Sequence, residues 1–330
     1  MERRSAMLQL KYLFHNKELA LEILSRWNYD KNQPHLMEQY RISANAVYGF
    51  TNQDTRCFLR FAHAEEKNRG QILAELEFLN YLRTNNYPCL QPVLSKAGNE
   101  LEVVDTPDGR YYGVVFLGVP GRSLSDHTLT PTIAFGWGKH MGRLHRLSKD
   151  YSPSRYRRVD HVAQLNWMAE VLDTFPEEAL ARRELEVVSD WLQRLPQNDN
   201  NYGLVHYDFE TDNVFYSPDT ENFYVIDFDD AVYHWFAMDV TTALASYEGS
   251  NRELAQKQFM AGYRTEHRLD DEWLQLRPGF SRYQKLYSYV RVIRSTKNQN
   301  LGEEPKWMGG LREKLAKLCI ERSADFGKPM

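Results

Sequence analysis

Two short segments in the second half of the chain decide how its fold is interpreted. They read Val205-His206-Tyr207-Asp208-Phe209-Glu210-Thr211-Asp212-Asn213-Val214 and Val225-Ile226-Asp227-Phe228-Asp229-Asp230. Short apolar runs at 202–205 and 223–226 predict a strand at the start of each segment. Polar residues follow each run at once, so carboxylates cluster at the ends of two predicted strands.

The spacing of these polar residues indicates a particular chemistry. Asn213 and Asp227 follow Asp208 by five and 19 residues. An Asp can accept the proton of an attacking hydroxyl, while an Asn carbonyl and a second Asp are hard oxygen ligands for Mg²⁺, which bridges nucleotide phosphates. Taken one at a time, these residues are equally well explained as turn and cap residues. Together they predict Asp208 as the catalytic base and Asn213 and Asp227 as metal ligands.

The two acids that follow Asp227 leave alternatives open. Asp229 either binds the metal itself or supports Asp227 from behind, and we count it among the predicted metal ligands. Asp230 either shares this role or only caps the next segment.

Both segments resemble the aminoglycoside phosphotransferase and choline kinase-like family, a branch of the protein-kinase-like fold. His206, Asp208 and Asn213 match the family's His-x-Asp-x-x-x-x-Asn loop. Asp227 matches the Asp that opens an Asp-Phe-Gly-like segment. The sequence departs from the commonest form of the loop at Tyr207, where Gly is usual, and at Glu210, where His is frequent.

The resemblance extends over nearly the whole chain. Gly142-Arg143-Leu144-His145 resembles the family's Gly-x-x-Leu-His helix end, and residues 119–124 resemble its Pro-Gly-x-x-Leu segment. The layout is most similar to the bacterial stress-response kinase and homoserine kinase-like branch, including a late Pro305-Lys306-Trp307 stretch. The resemblance also implies that His206 holds the loop and that Asp239 anchors it.

The fold implied is α+β and two-lobed, with a small antiparallel β-sheet N-lobe and a mainly helical C-lobe. We place the nucleotide-binding lobe at 1–118 and the catalytic and acceptor-binding lobe at 119–330. The patterns agree, because a predicted hairpin at 46–61 precedes a helix at 68–83 and further strands to 117. Helical periodicity dominates afterwards, near 131–148, 161–174, 177–194, 251–266 and 281–297.

A kinase-like site also needs a cation on the phosphates and an acid to hold that cation. Arg60, on a predicted strand, is the candidate cation where the family often has Lys. Glu75 falls on the apolar face of the following helix at about 100° per residue. Because burying a lone carboxylate is expensive, Glu75 is predicted to pair with Arg60. The alternatives are a surface Arg60 and a Glu75 that reaches water.

The remaining nucleotide contacts carry weaker signals. The chain has neither a Gly-x-Gly-x-x-Gly loop nor a P-loop. Ser43 and Asn45 occupy the place of the family's nucleotide loop, although loop polarity alone also explains them. The adenine edge is predicted to meet backbone between Phe116 and Val119.

Acidic and aromatic residues beside these segments suggest where an acceptor would bind. Glu210 and Asp212 suit a cationic acceptor, or else they face solvent. Trp235 and Trp307 are predicted to border the acceptor cleft, since aromatic faces attract organic cations.

Composition excludes several classes of protein. The 330 residues carry 41 Lys and Arg against 45 Asp and Glu, a formal net charge of −4, which argues against a nucleic-acid partner. No apolar run is long enough to span a membrane, and we expect a cytoplasmic protein without a membrane partner. The three cysteines, Cys57, Cys89 and Cys319, have no metal-ligand spacing.

We therefore expect an enzyme that uses ATP and Mg²⁺ to phosphorylate a hydroxyl of a small, amino-bearing molecule. The alternatives are a stress-response type protein Ser/Thr kinase and a nucleotide-binding pseudokinase that acts as an interaction module. The acceptor, the choice of ATP over GTP and the oligomeric state are not readable from one chain.

Overall fold

A computed structural model describes residues 16–33, 35–42, 45–107, 109–296 and 307–330. Among these residues, no helix has both the length and the apolar composition needed to cross a membrane.

The N-terminal part is built on an antiparallel sheet with strand order β1-β2-β3-β6-β4, in which β5 also pairs with β6. Its strands are β1 (Gln39–Ile42), β2 (Ala46–Asn52), β3 (Thr55–His63), β4 (Pro92–Val93), β5 (Glu102–Thr106) and β6 (Gly109–Leu117). Gln53 and Asp54 take positive φ angles in the β2–β3 turn. The predicted hairpin and the strands that follow it are therefore confirmed.

Two helices accompany this sheet, α1 (Lys17–Leu24) and α2 (Arg69–Thr84). The side chain of Asn68 caps α2 by accepting hydrogen bonds from the backbone N–H groups of Gly70 and Gln71. The predicted apolar face of α2 is buried. It packs in a hydrophobic core that continues past residue 118 to helices of the C-terminal part, so the two parts share an interior. The boundary at 118 stays a prediction.

The C-terminal part is mainly helical. Its helices are α3 (Pro131–Asp150), α4 (His161–Asp173), α5 (Ala179–Gln193), α6 (Phe236–Ser246), α7 (Arg252–Tyr263), α8 (Asp271–Gln275), α9 (Arg277–Thr296) and α10 (Trp307–Ser323). Its strands are β7 (Arg122–Ser123), β8 (Tyr202–Val205), β9 (Val214–Ser217), β10 (Asn222–Val225) and β11 (Val232–Trp235). The helical predictions are confirmed to within a few residues at each end.

The short strands position the two decisive segments. The two strands predicted from sequence are β8 and β10, but each pairs with a strand that the sequence pattern missed. β8 pairs with β11, and β10 pairs with β9, which also pairs with β7. The loop after β8 and the segment after β10 therefore leave two separate small sheets and meet between them.

Helices α3 and α7 cross with their backbones in contact, and glycine makes this possible. A Cβ atom on Gly138 would lie 1.9 Å from the Phe259 carbonyl oxygen, and one on Gly262 would lie 1.9 Å from the Phe135 carbonyl oxygen. Neither backbone oxygen can move without separating the helices. The α3–α7 contact therefore depends on these two glycines.

We expect Gly138→Ala to lower the melting temperature by about 5 °C or more, because the added methyl group overpacks the helix crossing. Thermal unfolding followed by circular dichroism measures this. Gly309→Ala in α10 is the matched control, since in the described part of the chain the added Cβ meets no atom within 4 Å apart from its chain neighbours and its own helix backbone. It should leave the melting temperature unchanged or raise it slightly, since Ala favours helix. Equal melting temperatures for Gly138→Ala and the control would contradict the close contact.

Candidate active site

Asp208 and Asn213 lie on the loop between β8 and β9 and hold each other. The Asn213 amide nitrogen Nδ2 donates to the Asp208 carboxylate at 2.9 Å and to the Asp208 backbone carbonyl at 3.0 Å. The Ile226 N–H donates to the Asn213 carbonyl at 3.0 Å, which draws the second segment alongside the first. The predicted base and two predicted metal ligands are thus brought into one cleft.

Asp239 in the first turn of α6 fixes the start of this loop. Its fully buried carboxylate accepts hydrogen bonds from the backbone N–H groups of His206 at 2.8 Å and Tyr207 at 2.6 Å. It also contacts His145 Nε2 at 3.1 Å. Asp239 therefore lies where the resemblance places a structural anchor.

His206 links the two segments. Its Nε2 atom lies 2.8 Å from the Ile226 carbonyl and donates to it, so Nδ1 accepts the Asp208 N–H at 3.3 Å. Burial lowers the pKa of His206, which favours the neutral ring that this arrangement requires. His206 is positioned to hold the loop, as expected, and its two ring nitrogens are both engaged.

Two residues of the acidic segments take backbone angles that non-glycine residues seldom adopt. Tyr207 has φ 74° and Asp227 has φ 62°, both in the left-handed region. Asp tolerates this region better than Tyr does, and a bulky residue there is uncommon. The hydrogen bond from the Tyr207 N–H to Asp239 helps to hold the strained turn.

The Asp227 carboxyl is half-buried beside other acids. Among the described residues it has no hydrogen-bond or ion-pair partner. Burial and the neighbouring Asp229 charge raise its pKa to about 7, although Arg60 acts in the opposite direction. A carboxylate that gains little from its protein neighbours is suited to a cation from outside the chain.

Asp229 is differently placed, because its charge is already balanced. Its Oδ2 atom accepts a hydrogen bond from Asn45 Nδ2 at 3.0 Å and forms an ion pair with Lys67 Nζ. Although burial acts in the opposite direction, the charges of Lys67 and Arg60 hold the pKa of Asp229 below its ordinary value. Neither of these contacts involves Asp227, so both alternatives for Asp229, as a metal ligand and as a support for Asp227, stay predictions.

Arg60 and Glu75 form the ion pair that the helix periodicity predicts. Arg60 Nη1 donates to Glu75 Oε1 at 2.9 Å and Arg60 Nη2 donates to Glu75 Oε2 at 2.6 Å, with both side chains buried. The guanidinium also lies over the Phe116 ring, 5.0 Å from its centre. The alternatives of a surface Arg60 and a solvated Glu75 are therefore wrong, while the binding of phosphate by Arg60 stays a prediction.

Sequence reasoning missed three cations that balance the acidic cleft, Lys67, Arg158 and Arg291. Arg291 Nη1 on α9 pairs with Asp230 Oδ2 at 2.7 Å. Arg158 donates to the backbone carbonyls of Ala231, at 2.6 Å, and Asp229. Arg158 belongs to a basic run at 155–158, which on sequence alone resembles a solvated surface. No local pattern distinguishes these three cations from exposed ones.

Burial and neighbouring negative charge raise the pKa values of Asp208 and Glu210 on the loop after β8. Burial, followed by the charges of Asp230 and Asp212, raises the pKa of Asp208 to about 6. Burial, followed by Asp208 and Asp212, raises the pKa of Glu210 to about 7. Glu210 is half-buried and Asp212 is exposed. Both lie beside the predicted base, and their contact with an acceptor stays a prediction.

Of the other residues predicted to contact nucleotide or acceptor, Trp235 is described by the structure. Trp235 is only 1% exposed, and its indole N–H donates to the Pro196 carbonyl at 2.9 Å. The prediction that Trp235 borders an open acceptor cleft is therefore wrong, because its ring packs in the core. Ser43 and the side chain of Trp307 lie outside the described residues.

In the hinge after β6, one backbone N–H group is available to donate a hydrogen bond to an adenine edge. The Leu117 N–H donates to the Gln91 carbonyl at 2.9 Å and the Gly118 N–H to the Arg56 carbonyl at 2.8 Å. Within the described part of the chain, the N–H of half-buried Val119 has no such partner. Phe116, the next-to-last residue of β6, is buried. The predicted adenine contact at this backbone stays a prediction.

The donor set suits a magnesium ion that is shared with phosphates. No three His, Cys, Asp or Glu side chains come together as a ready-made metal cluster in the described ranges. Mg²⁺ is usually held by one or two carboxylates together with substrate phosphates rather than by an all-protein cage. The Asp227 carboxylate and the Asn213 amide oxygen provide hard oxygen donors of that kind, so the residues fit this cation.

The chain is similar in sequence and fold to several kinases and phosphotransferases. A profile described as "Phosphotransferase enzyme family" matches residues 41–278. An amicoumacin kinase of Bacillus subtilis (strain 168) is 26% identical over 334 residues, which cover 96% of this chain and 97% of the relative. A solved amicoumacin kinase in complex with AMP-PNP, Ca²⁺ and Ami has a TM-score of 0.76 at 24% identity, covering 96% of this chain and 95% of that one. The structure of a microcompartment-associated aminopropanol kinase has a TM-score of 0.70 at 21% identity, covering 94% and 97%.

We expect Asp227→Asn to raise the melting temperature at pH 8 by about 5 °C, because it removes a charge that the apo fold disfavours. The folded carboxyl, with its pKa near 7, keeps a proton that the unfolded chain releases near pH 4. Stability therefore falls as pH rises through this window. Scanning calorimetry at pH 4 and pH 8 measures the difference, which should vanish at pH 4. MgCl₂ at pH 8 should raise the melting temperature of the wild type more than that of the variant; an equal response would contradict metal binding at Asp227.

Proposed function

Because the chain belongs to the phosphotransferase enzyme family, we propose that it transfers the γ-phosphate of ATP to a hydroxyl of a small, amino-bearing molecule. The family match over residues 41–278 confirms the predicted family and the predicted phosphotransferase enzyme. The structural likenesses confirm the predicted two-lobed kinase-like fold. The cofactors are ATP and Mg²⁺, in agreement with a neighbour that holds AMP-PNP and Ca²⁺.

One observation carries the proposal: Asp208 is held beside the second acidic segment by Asn213. The 2.9 Å hydrogen bond from Asn213 Nδ2 engages Oδ2 of the carboxylate. The carboxylate is thereby oriented while the backbone beneath it is tied to Asp239. Such a group can orient an acceptor hydroxyl and take its proton as the phosphate is transferred.

The raised pKa of Asp208 suits this role. A general base works best when its pKa lies not far below the operating pH, since it is then both ionised and basic. The Asp208 pKa of about 6 meets this condition at neutral pH. Burial and the charge of Asp230 are its main causes, so the acidic surroundings adjust the base as well as attracting cations.

The remaining parts of the site serve phosphate and metal. Arg60, held rigidly by Glu75, is the predicted phosphate contact from the sheet. Asn213 and Asp227 are the predicted ligands of the magnesium ion. When bound, that ion neutralises charge on the transferred phosphate. Positioning and charge stabilisation account for most catalysis in phosphoryl transfer, and this chain provides both.

The acceptor class is inferred from charge. Glu210 and Asp212 extend the negative field of the cleft beside Asp208, and a field of this sign attracts an amine. The relatives support a small molecule, since an amicoumacin kinase and an aminopropanol kinase are named for small-molecule acceptors. A protein substrate and a pseudokinase are the less favoured alternatives.

We expect Asp208→Asn to reduce turnover by about 10²-fold or more while nucleotide binding stays intact, because the variant keeps the shape and loses the base. ATP consumption with Mg²⁺ over a panel of aminoglycosides, amino alcohols, sugars and generic protein substrates measures this. AMP-PNP titration reports binding separately. Normal turnover in the variant would refute the assignment of the base. ATP binding by the wild type without transfer to any acceptor would favour the pseudokinase.

We expect Glu210→Gln to raise KM for an amine acceptor about tenfold with little change in KM for ATP, because one charge of the attractive field is lost. Steady-state kinetics at pH 8, where Glu210 is ionised, measures both constants. Glu221→Gln, at an exposed position between β9 and β10, is the matched control and should change neither constant. An unchanged acceptor KM in Glu210→Gln would remove Glu210 from the acceptor site.

A further inference from the structure

Lys67 is buried against the second acidic segment, although nothing in its sequence surroundings indicates this. It belongs to the loop between β3 and α2, and its side chain is 2% exposed. Its ammonium forms an ion pair with Asp229, which lies two residues after the predicted metal ligand Asp227. Burying a lysine requires an anionic partner, and Asp229 provides one.

Two separate segments of the N-terminal part converge on that one carboxylate oxygen. Asn45, the residue before β2, donates to Asp229 Oδ2 at 3.0 Å, and Lys67 pairs with the same atom. Asn45 belongs to the predicted nucleotide loop, and Asp229 belongs to the predicted metal segment. Lys67 is therefore positioned where a nucleotide's terminal phosphates and their metal are expected to lie.

Arg60 by itself leaves phosphate binding incomplete. Both of its terminal nitrogens are engaged by the two oxygens of Glu75, so its charge is largely neutralised inside the protein. A triphosphate would bring further negative charge to segments that already carry Asp208, Asp227, Asp229 and Asp230. A second cation on this side of the cleft would balance that charge.

We propose that Lys67 is a phosphate-binding residue of this enzyme, which neutralises Asp229 in the nucleotide-free site and binds the terminal phosphates of ATP when the nucleotide is present. The ammonium exchanges one anionic partner for another, so no covalent or proton-transfer step is involved. A lysine suits this exchange, because its compact charge lies on a flexible four-carbon stem. The inference rests on the proposed function.

A purely structural role makes a different prediction. The neighbouring Glu66 pairs with Arg294 on α9, at 3.0 Å from both terminal nitrogens, so the loop is fastened to the helical part at two adjacent positions. If Lys67 only fastened the loop, breaking either pair would disturb the cleft in the same way. Glu66→Gln breaks the second fastening without changing the charges on Asp229, and it is the matched control.

Titration calorimetry of the full chain with AMP-PNP and Mg²⁺, and separately with AMP, tests the proposal. Loss of a charge-assisted phosphate contact should weaken AMP-PNP binding in Lys67→Met by about tenfold or more, and AMP binding by less than about twofold. Lys67→Arg should restore most of the AMP-PNP affinity. Glu66→Gln should change the affinities for AMP-PNP and AMP by the same factor.

Equal affinities of Lys67→Met and the wild type for AMP-PNP would overturn the proposal. So would an equal loss for AMP-PNP and AMP, since this is the signature of a fastening role. Failure of the wild type itself to bind AMP-PNP would overturn the proposed function together with this inference. If the wild type binds AMP-PNP and turns over, and Lys67→Met binds AMP-PNP with the same affinity, only this inference is overturned.

Lys67→Met leaves Asp229 buried without its partner and risks unfolding. The double variant Lys67→Met/Asp229→Asn removes both charges and avoids that defect. It is compared with Asp229→Asn, in which Lys67 remains. The double variant should bind AMP-PNP about tenfold more weakly than Asp229→Asn, with similar AMP affinities. Equal AMP-PNP affinities in these two proteins would overturn the proposal.

Discussion

The active site depends on the crowding of negative charge in one cleft. Asp208, Asp227, Asp229 and Asp230 lie on two adjoining segments, and burial of like charges raises the pKa of the first two. Cations from other parts of the chain offset the rest: Lys67 pairs with Asp229, and Arg291 with Asp230. Each pair also joins an element to the cleft, namely the β3–α2 loop and helix α9. The same electrostatic requirement therefore organises the site and the packing around it.

A second requirement is that the backbone must orient the carboxylates of Asp208 and Asp227. Tyr207 and Asp227 both take left-handed backbone angles, which a non-glycine residue adopts only when its surroundings hold it there. For Tyr207 the restraint is visible, because its N–H and that of His206 both donate to the buried Asp239 carboxylate. Helix α6, which carries Asp239, thus transmits the rigidity of the helical core to the catalytic loop.

Much of the site was predictable because its signals are local in sequence. The order of Asp208, Asn213 and Asp227 indicated the chemistry, and helix periodicity was enough to pair Glu75 with Arg60. Other residues could not be found in this way. Lys67 lies in a run of charged residues that resembles a solvated loop, and its partner Asp229 is 162 residues away. Trp235 follows the metal segment closely, yet strand β11 turns its ring into the core, and β11 itself was missed.

By itself the sequence determined the enzyme class and the fold class, and it predicted Asp208, Asn213 and Asp227 as the site residues, because strand ends, helix faces and motif spacing are properties of neighbouring residues. Only the tertiary structure decided which strands pair, which aromatic rings are buried and which cations meet which acids. These depend on contacts between distant segments, where many lysines and arginines have similar local surroundings. Burial selects among them, since a charge removed from water must find an opposite charge.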